Sequence, residues 1–454
     1  MRPAINRRLA EFVHNLVYDD LPDEVVEKVK TLFLHGIGVG LAGYETETAQ
    51  VAIDIAKKEG QGDVTIIIDG SRVTATAAAF ANATILHSRA QGDYYHGGML
   101  HPGVVIIPAA LAIGEAAGSS GKGLIVALAA GYEVAARVST DFCQLSVARG
   151  FRSTPLYGGL GAAAAAGKLL DSSEEQLVFS LGWAANLASG LLQLAMAKTL
   201  GFPLQDGLAS RNGVFAAWLG QAGASAAEDM LEGERGLYYA CCGSTDDVER
   251  VVLGLGQEYK MLDTYLKPYP VRISSQAQVS AVLALVREHD IIPEDIEGVE
   301  VRMPPTRVQY PSINSLKPSL MSAQYCVAVA CVHRKVTLPL LADIQNRRVR
   351  GLVPKIRMVP DEGVNHPGCK LAITLRDGRV LKKGMAVTHE DYCYSFDEEQ
   401  RLIESLISEM ALPAERVKRM VELIANMESW KSVDELMQIL SYSPRKVKRI
   451  RLPS

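Results

Sequence analysis

Leu9, Phe12, Val13, Leu16 and Val17 follow the i, i+3, i+4, i+7, i+8 spacing of a one-sided amphipathic helix, so the chain is predicted to open on a helix packed along one face. Pro22 suits a first-turn position, and Val25, Val26, Val29, Leu32 and Phe33 carry the next helix. Further on the apolar positions are no longer confined to one side. Thr74 to His87 and Val104 to Ala117 are apolar and Ala-rich, the pattern of buried helices. Gly161 to Gly167, Trp183 to Leu192 and Asn212 to Ala222 are rich in Ala and Gly. Small residues at this density predict helix backbones in close approach. Asp63 to Asp69 is β-branched and predicts a short strand, with Asp69-Gly70 as a turn. The pattern changes near Tyr265. Gly298 to Met303 alternates like a strand, Lys370 to Lys382 reads as a hairpin around Asp377-Gly378, and Ser322 to Val332 is one apolar helix between them. From Asp397 the period is helical again. The expected fold class is mainly α with an α+β second domain. A helical domain covers 1–262, a smaller α+β lid domain covers 263–396, and C-terminal helices over 397–454 return to the helical domain.

Composition narrows the function classes. With 454 residues, 48% apolar and 22% charged, the chain has the make-up of an ordinary soluble globular protein with room for two or three domains. A net charge of -4 gives no reason to expect a nucleic-acid partner, and the basic stretch Arg445 to Arg451 reads as a solvated chain end. No apolar run is both long enough and free of polar breaks to span a membrane; Leu124 to Val134 is short and Glu133 interrupts it. No secretory signal is visible, and seven cysteines without a CxxC pair suggest reduced thiols in a cytoplasmic protein, with no cysteine metal centre.

The candidate chemistry concentrates in Ala90 to Gly103, where Asp93, Tyr94, Tyr95, His96 and His101 sit in a Gly-rich break between two apolar helices. Proton-transfer groups on a loop pinned between rigid elements suit a catalytic loop; the plain alternative is a glycine-rich turn whose His and Tyr cap neighbouring helices. His96 and His101 lie five residues apart and match no standard metal spacing, so a proton-transfer role is preferred to a metal. Gly38 to Gly43 matches GxGxxG but follows a helical pattern, so close helix packing explains it better than a dinucleotide site. Arg149 and Arg152 precede an Ala-rich helix beside Ser153 and Thr154, which permits either a carboxylate or phosphate site or simple capping with Arg152 in solvent. Lys198 follows an apolar helix, and Lys267 sits in a Pro-rich segment at the expected domain junction, where clefts are favoured ligand sites.

Together these segments resemble the MmgE/PrpD (2-methylcitrate dehydratase) family. The resemblance is carried by Gly36 to Gly43, Ala78 to His87, His101-Pro102-Gly103, Gly131 to Arg137, Gly150-Phe151 with Gly161 to Ala166, Ser210 to Gly213, Leu231-Glu232-Gly233 with Gly236, and Lys267 to Pro270. It implies a helical domain with an α+β lid, a homodimer, and no metal or organic cofactor. The activities it implies are dehydration of 2-methylcitrate, decarboxylation of cis-aconitate or epimerisation of iminodisuccinate, all at a carbon next to a carboxylate. By motif, the family's site residues fall on Asp93, His101, Lys198, Lys267 and Tyr325. The chain also departs from the family: Gln91 stands at the first acidic position of the loop, Tyr94-Tyr95 replace an Asp-Thr pair, and Arg152 replaces a histidine.

The expected function is that of a cofactor-independent lyase, dehydratase-like, that removes a proton α to a carboxylate of a di- or tricarboxylate. An imino-dicarboxylate epimerase and a non-catalytic carboxylate-binding homologue are the alternatives. Lys198, Lys267 and Arg152, with His96 and Gln91, are the expected substrate-binding residues. His101 is the candidate base or acid, Asp93 orients it or shares the proton, and Tyr325 or Tyr95 is the second proton donor.

Overall fold

The computed structural model describes residues 3–197, 199, 201–308, 319–388, 391–444, 447 and 449–452. The first part of the chain is helix after helix: α1 (Ile5–Asn15), α2 (Asp23–Leu41), α3 (Glu47–Glu59), α4 (Ala75–His87), α5 (Gly103–Ala117), α6 (Gly121–Thr140), α7 (Cys143–Ala148), α8 (Ser153–Leu169), α9 (Glu174–Asn186), α10 (Gln193–Met196) and α11 (Phe202–Gln221). α4, α5, α6, α8 and α11 are the buried ones, and they touch because their contact faces carry almost no side chain. A Cβ on Gly131 of α6 would lie 2.7 Å from the Gly161 carbonyl oxygen of α8, so only glycine permits that crossing. The GxGxxG stretch lies inside and just after α2 and serves the same end. A Cβ on Gly38 would meet Ile403 at 2.4 Å, and one on Gly40 would meet Leu86 at 2.8 Å.

Two expectations are corrected. The helix read over Trp183 to Leu192 stops at Asn186, because Gly190 turns to φ +108° and Leu191 bridges Phe151. The strand read over Asp63 to Asp69 ends at Thr65; Ile68 takes φ +66°, and its N–H donates to the Leu440 carbonyl at 2.7 Å, so the β-branched run packs against the returning C-terminus. α6 is long and apolar enough to cross a membrane on length and composition alone, with Glu133 interrupting it as read; 89% of its apolar 18-residue window is buried inside the fold, where Arg137 donates to Glu133 at 2.6 Å.

The second hydrophobic core is built around α12 (Ile273–Glu288), the apolar helix Ala323–His333 and a four-stranded sheet. Its strands are Ile296–Met303, Ile356–Pro360, Cys369–Leu375 and Val380–Met385. The first two pair in parallel, and the last two form the antiparallel hairpin turned at Asp377-Gly378. Ile403, Val417, Met420 and Leu436 of the C-terminal helices return to the first core. Ala90 and Phe202, from the helical part, join the second core, and that contact locates the site.

Candidate active site

The loop between α4 and α5 is held at both ends and in the middle. Tyr94-Tyr95 pair antiparallel with Thr264-Tyr265, which ties the loop to the domain junction. The Asp93 carboxylate accepts the Gly103 N–H at the start of α5 (3.1 Å) and the Tyr132 hydroxyl (2.7 Å). Burial pushes its pKa up despite these donors. A Cβ on Gly103 would strike the Tyr132 hydroxyl at 2.2 Å and this carboxylate at 2.6 Å, so glycine is required there. Asp93 reaches His101 through its main chain: its carbonyl oxygen lies 2.5 Å from His101 Nδ1. A carbonyl only accepts, so Nδ1 carries the proton and Nε2 keeps the lone pair.

His101 lines a cavity of about 150 Å³ at the meeting of the two cores. Burial, Lys267, His87 and Arg152 all push its pKa well below the ordinary histidine value, so the ring is neutral. Lys267, at the junction, is fully buried and donates from Nζ to the Ala90 carbonyl at 2.5 Å; burial lowers its pKa to about 7. Arg152 is not in solvent. Its guanidinium grips both oxygens of Asp206 at 2.5 and 3.0 Å, while its backbone N–H donates to Gly190 O. Burial raises the Asp206 pKa, but Arg152 and His87 outweigh it and hold the group ionised. Arg272, Ser274 and Arg307 line the same cavity from the other domain, and Arg272 is the residue that enters α12.

Not every residue expected at the site lines this cavity. The Tyr325 hydroxyl donates to the Leu341 and Asp343 carbonyls inside the second core. Tyr95 bonds to Thr140 (3.0 Å). His96 is exposed and stacks on Tyr265 and His366. Gln91 is buried behind the loop, where its side chain accepts from Arg89 (2.8 Å) and donates to the Lys267 carbonyl (3.0 Å), positioning the lysine's backbone. Lys198 lies outside the described residues. His87, Asp206, Arg272 and Arg307 are the residues that sequence reasoning missed. His87 was visible as the last residue of a motif-bearing apolar helix, but nothing in the sequence joins it to Asp206, 119 positions away.

Among the described residues the cavity is lined by four cationic side chains and two imidazoles, a lining that suits a small polyanion and includes groups able to move protons. The sequence matches the MmgE/PrpD N-terminal domain over residues 7–249 and the MmgE/PrpD C-terminal domain over residues 269–390. The chain belongs to the MmgE/PrpD family and is an enzyme of that type. Among its curated relatives is the cis-aconitate decarboxylase-like protein oryM of Aspergillus oryzae, 25% identical, with 96% of this chain and 97% of the relative aligned. The cis-aconitate decarboxylase of Homo sapiens is 26% identical over 97% of this chain and 95% of its own length, and that of Mus musculus is 27% identical over 84% and 82%.

Proposed function

We propose that the protein is a cofactor-independent lyase for a small di- or tricarboxylate, starting with removal of a proton next to a carboxylate. The observation that carries this reading is the convergence of two helix N-termini on one cavity. α8 is entered through Arg152 and α12 through Arg272, and neither entry is capped by a side chain. Helix N-termini present N–H groups and partial positive charge to an anion. The Ser153 hydroxyl lies in this wall, buried and without a hydrogen-bond partner among the described residues. Lys267 and Arg307 complete a cationic lining that suits more than one carboxylate.

Cations around a bound carboxylate also stabilise the enolate-like charge that forms when the neighbouring carbon loses its proton. His101, neutral and with Nε2 as its lone-pair nitrogen, is the base. Dehydration follows when a hydroxyl leaves the adjacent carbon. Decarboxylation is the second reading, favoured by the names of the relatives; there the carboxylate itself leaves as CO₂ and a proton is added to the carbon.

Proton NMR in D₂O with 2-methylcitrate, citrate, cis-aconitate and iminodisuccinate separates these outcomes. A vinyl product from a hydroxy acid supports dehydration. Loss of one carbon from cis-aconitate supports decarboxylation. Deuterium wash-in with no change of skeleton supports epimerisation, and binding without any exchange overturns the catalytic reading.

A further inference from the structure

His87 closes α4 and lies in the cavity wall with its ring centroid 4.6 Å from that of His101, tilted by 57°. The two imidazoles have different backing. His101 Nδ1 faces a neutral carbonyl, whereas His87 Nδ1 lies 2.6 Å from Oδ2 of Asp206. Asp206 is fully buried and is itself gripped by Arg152, so its charge is fixed beside the ring. Phe202 packs edge-on against His87 at 5.0 Å and further limits its rotation. The base and cation roles assigned above do not use this arrangement, yet it places a buried carboxylate, an imidazole and an arginine in series at the reacting cavity.

We propose that His87, held and charge-stabilised by Asp206, is the proton donor that works opposite His101 in this cavity. The inference rests on the lyase reading above. A carboxylate partner stabilises the imidazolium form more than a neutral carbonyl does, so of the two rings His87 is the one built to hold an extra proton. Two titratable groups whose surroundings differ in this way divide into acid and base. Burial lowers the His87 pKa to about 4, with Lys267 and Arg152 adding to the effect. A bound polycarboxylate offsets those cations and favours the charged ring. In the elimination, the C–H proton passes to Nε2 of His101 and its electron pair is held as enolate charge on the neighbouring carboxylate. That pair then forms the C=C bond as the C–O bond breaks, and hydroxide leaves as water with the proton from His87 Nε2. His101 ends protonated and His87 neutral, and return of one proton between them resets the site.

The test follows both proton steps in one NMR experiment in D₂O on the substrate the wild-type protein turns over. In His87→Gln, elimination is expected to fall about 10²–10⁴-fold while deuterium wash-in at the carbon acid persists, because His101 remains. Asp206→Asn keeps a hydrogen-bonding group but removes the charge, and is expected to shift the acid limb of the pH–rate profile with wash-in intact. Loss of both steps together in a folded His87→Gln protein, or wild-type elimination in it, overturns the assignment. Ring-nitrogen NMR of the full-length protein, with citrate as probe, gives an answer independent of turnover. A His87 ring with Nδ1–H that becomes imidazolium when citrate binds supports the inference; a ring that stays neutral overturns it. If wild type converts none of the four compounds, the lyase reading fails, and the ring titration alone decides the role of His87.

Discussion

On the helical wall of the cavity three described titratable side chains are held by fixed partners. His101 is tied to the Asp93 carbonyl, and His87 and Arg152 share Asp206. The facing wall carries Arg272 and Arg307 on long side chains, with Lys267 at the seam between the two. The kinds of group on the two walls follow from two tasks. Proton transfer needs a ring nitrogen at hydrogen-bond distance and in one tautomer, so its groups are locked by neighbours. Neutralising a carboxylate needs charge and reach, which a guanidinium on a flexible stem supplies. Helical packing provides the rigidity, and the second domain brings the additional charge.

The comparison breaks most sharply at His101. His101→Gln is expected to lower turnover about 10²–10⁴-fold with substrate affinity little changed, measured by steady-state kinetics and calorimetric binding. Near-normal turnover would remove the helical wall from the chemistry. Lys267→Met tests the seam, and a loss of about 10²–10³-fold in kcat is expected if the ammonium stabilises developing charge. Arg307→Ala tests the facing wall. It is expected to weaken binding of a tricarboxylate about 10–100-fold, the scale of one hydrogen bond to a charged group, while kcat changes less. An Arg307→Ala variant that loses kcat and keeps KM would mean that both walls take part in the chemical step.

The smallest effect concerns stability. His87 and His101 are buried in their neutral forms, with pKa values below the histidine value of 6.5. As pH falls below 6.5 the unfolded chain takes up these protons and the folded chain does not. Stability is therefore fully present above pH 6.5 and falls between 6.5 and, for His87, about 4. Denaturant unfolding over that range should show the decline, and His87→Gln should remove the uptake of about one proton from its slope. An unchanged slope would place the neutral ring elsewhere.

Much of the helical architecture was legible because burial leaves a compositional trace. The helices read at Thr74 to His87 and Val104 to Ala117 end within a residue of α4 and α5, and the Asp377-Gly378 hairpin formed where read. The helix read to Leu192 ran past its true end, because the stop comes from the Leu191 bridge to Phe151, a contact between distant residues. The site was legible only in part, and for the same reason. His101, Lys267 and Arg152 sit in motifs with local character. Asp206 lies near the start of α11, unmarked until folding places it against His87 and Arg152. Tyr325 sits in a suggestive motif, but its hydroxyl is bonded to two carbonyls in the second core.

Most of the helices, the places where small-residue helices can touch and the loop that carries imidazoles are encoded locally, because periodicity, residue volume and glycine content act over a few neighbouring residues. Which charges face one another is set by packing. Asp93 caps a helix, Gln91 supports a lysine from behind, and Asp206 holds a histidine. Each of those roles depends on a partner brought from another element by packing, and no local pattern records that partner.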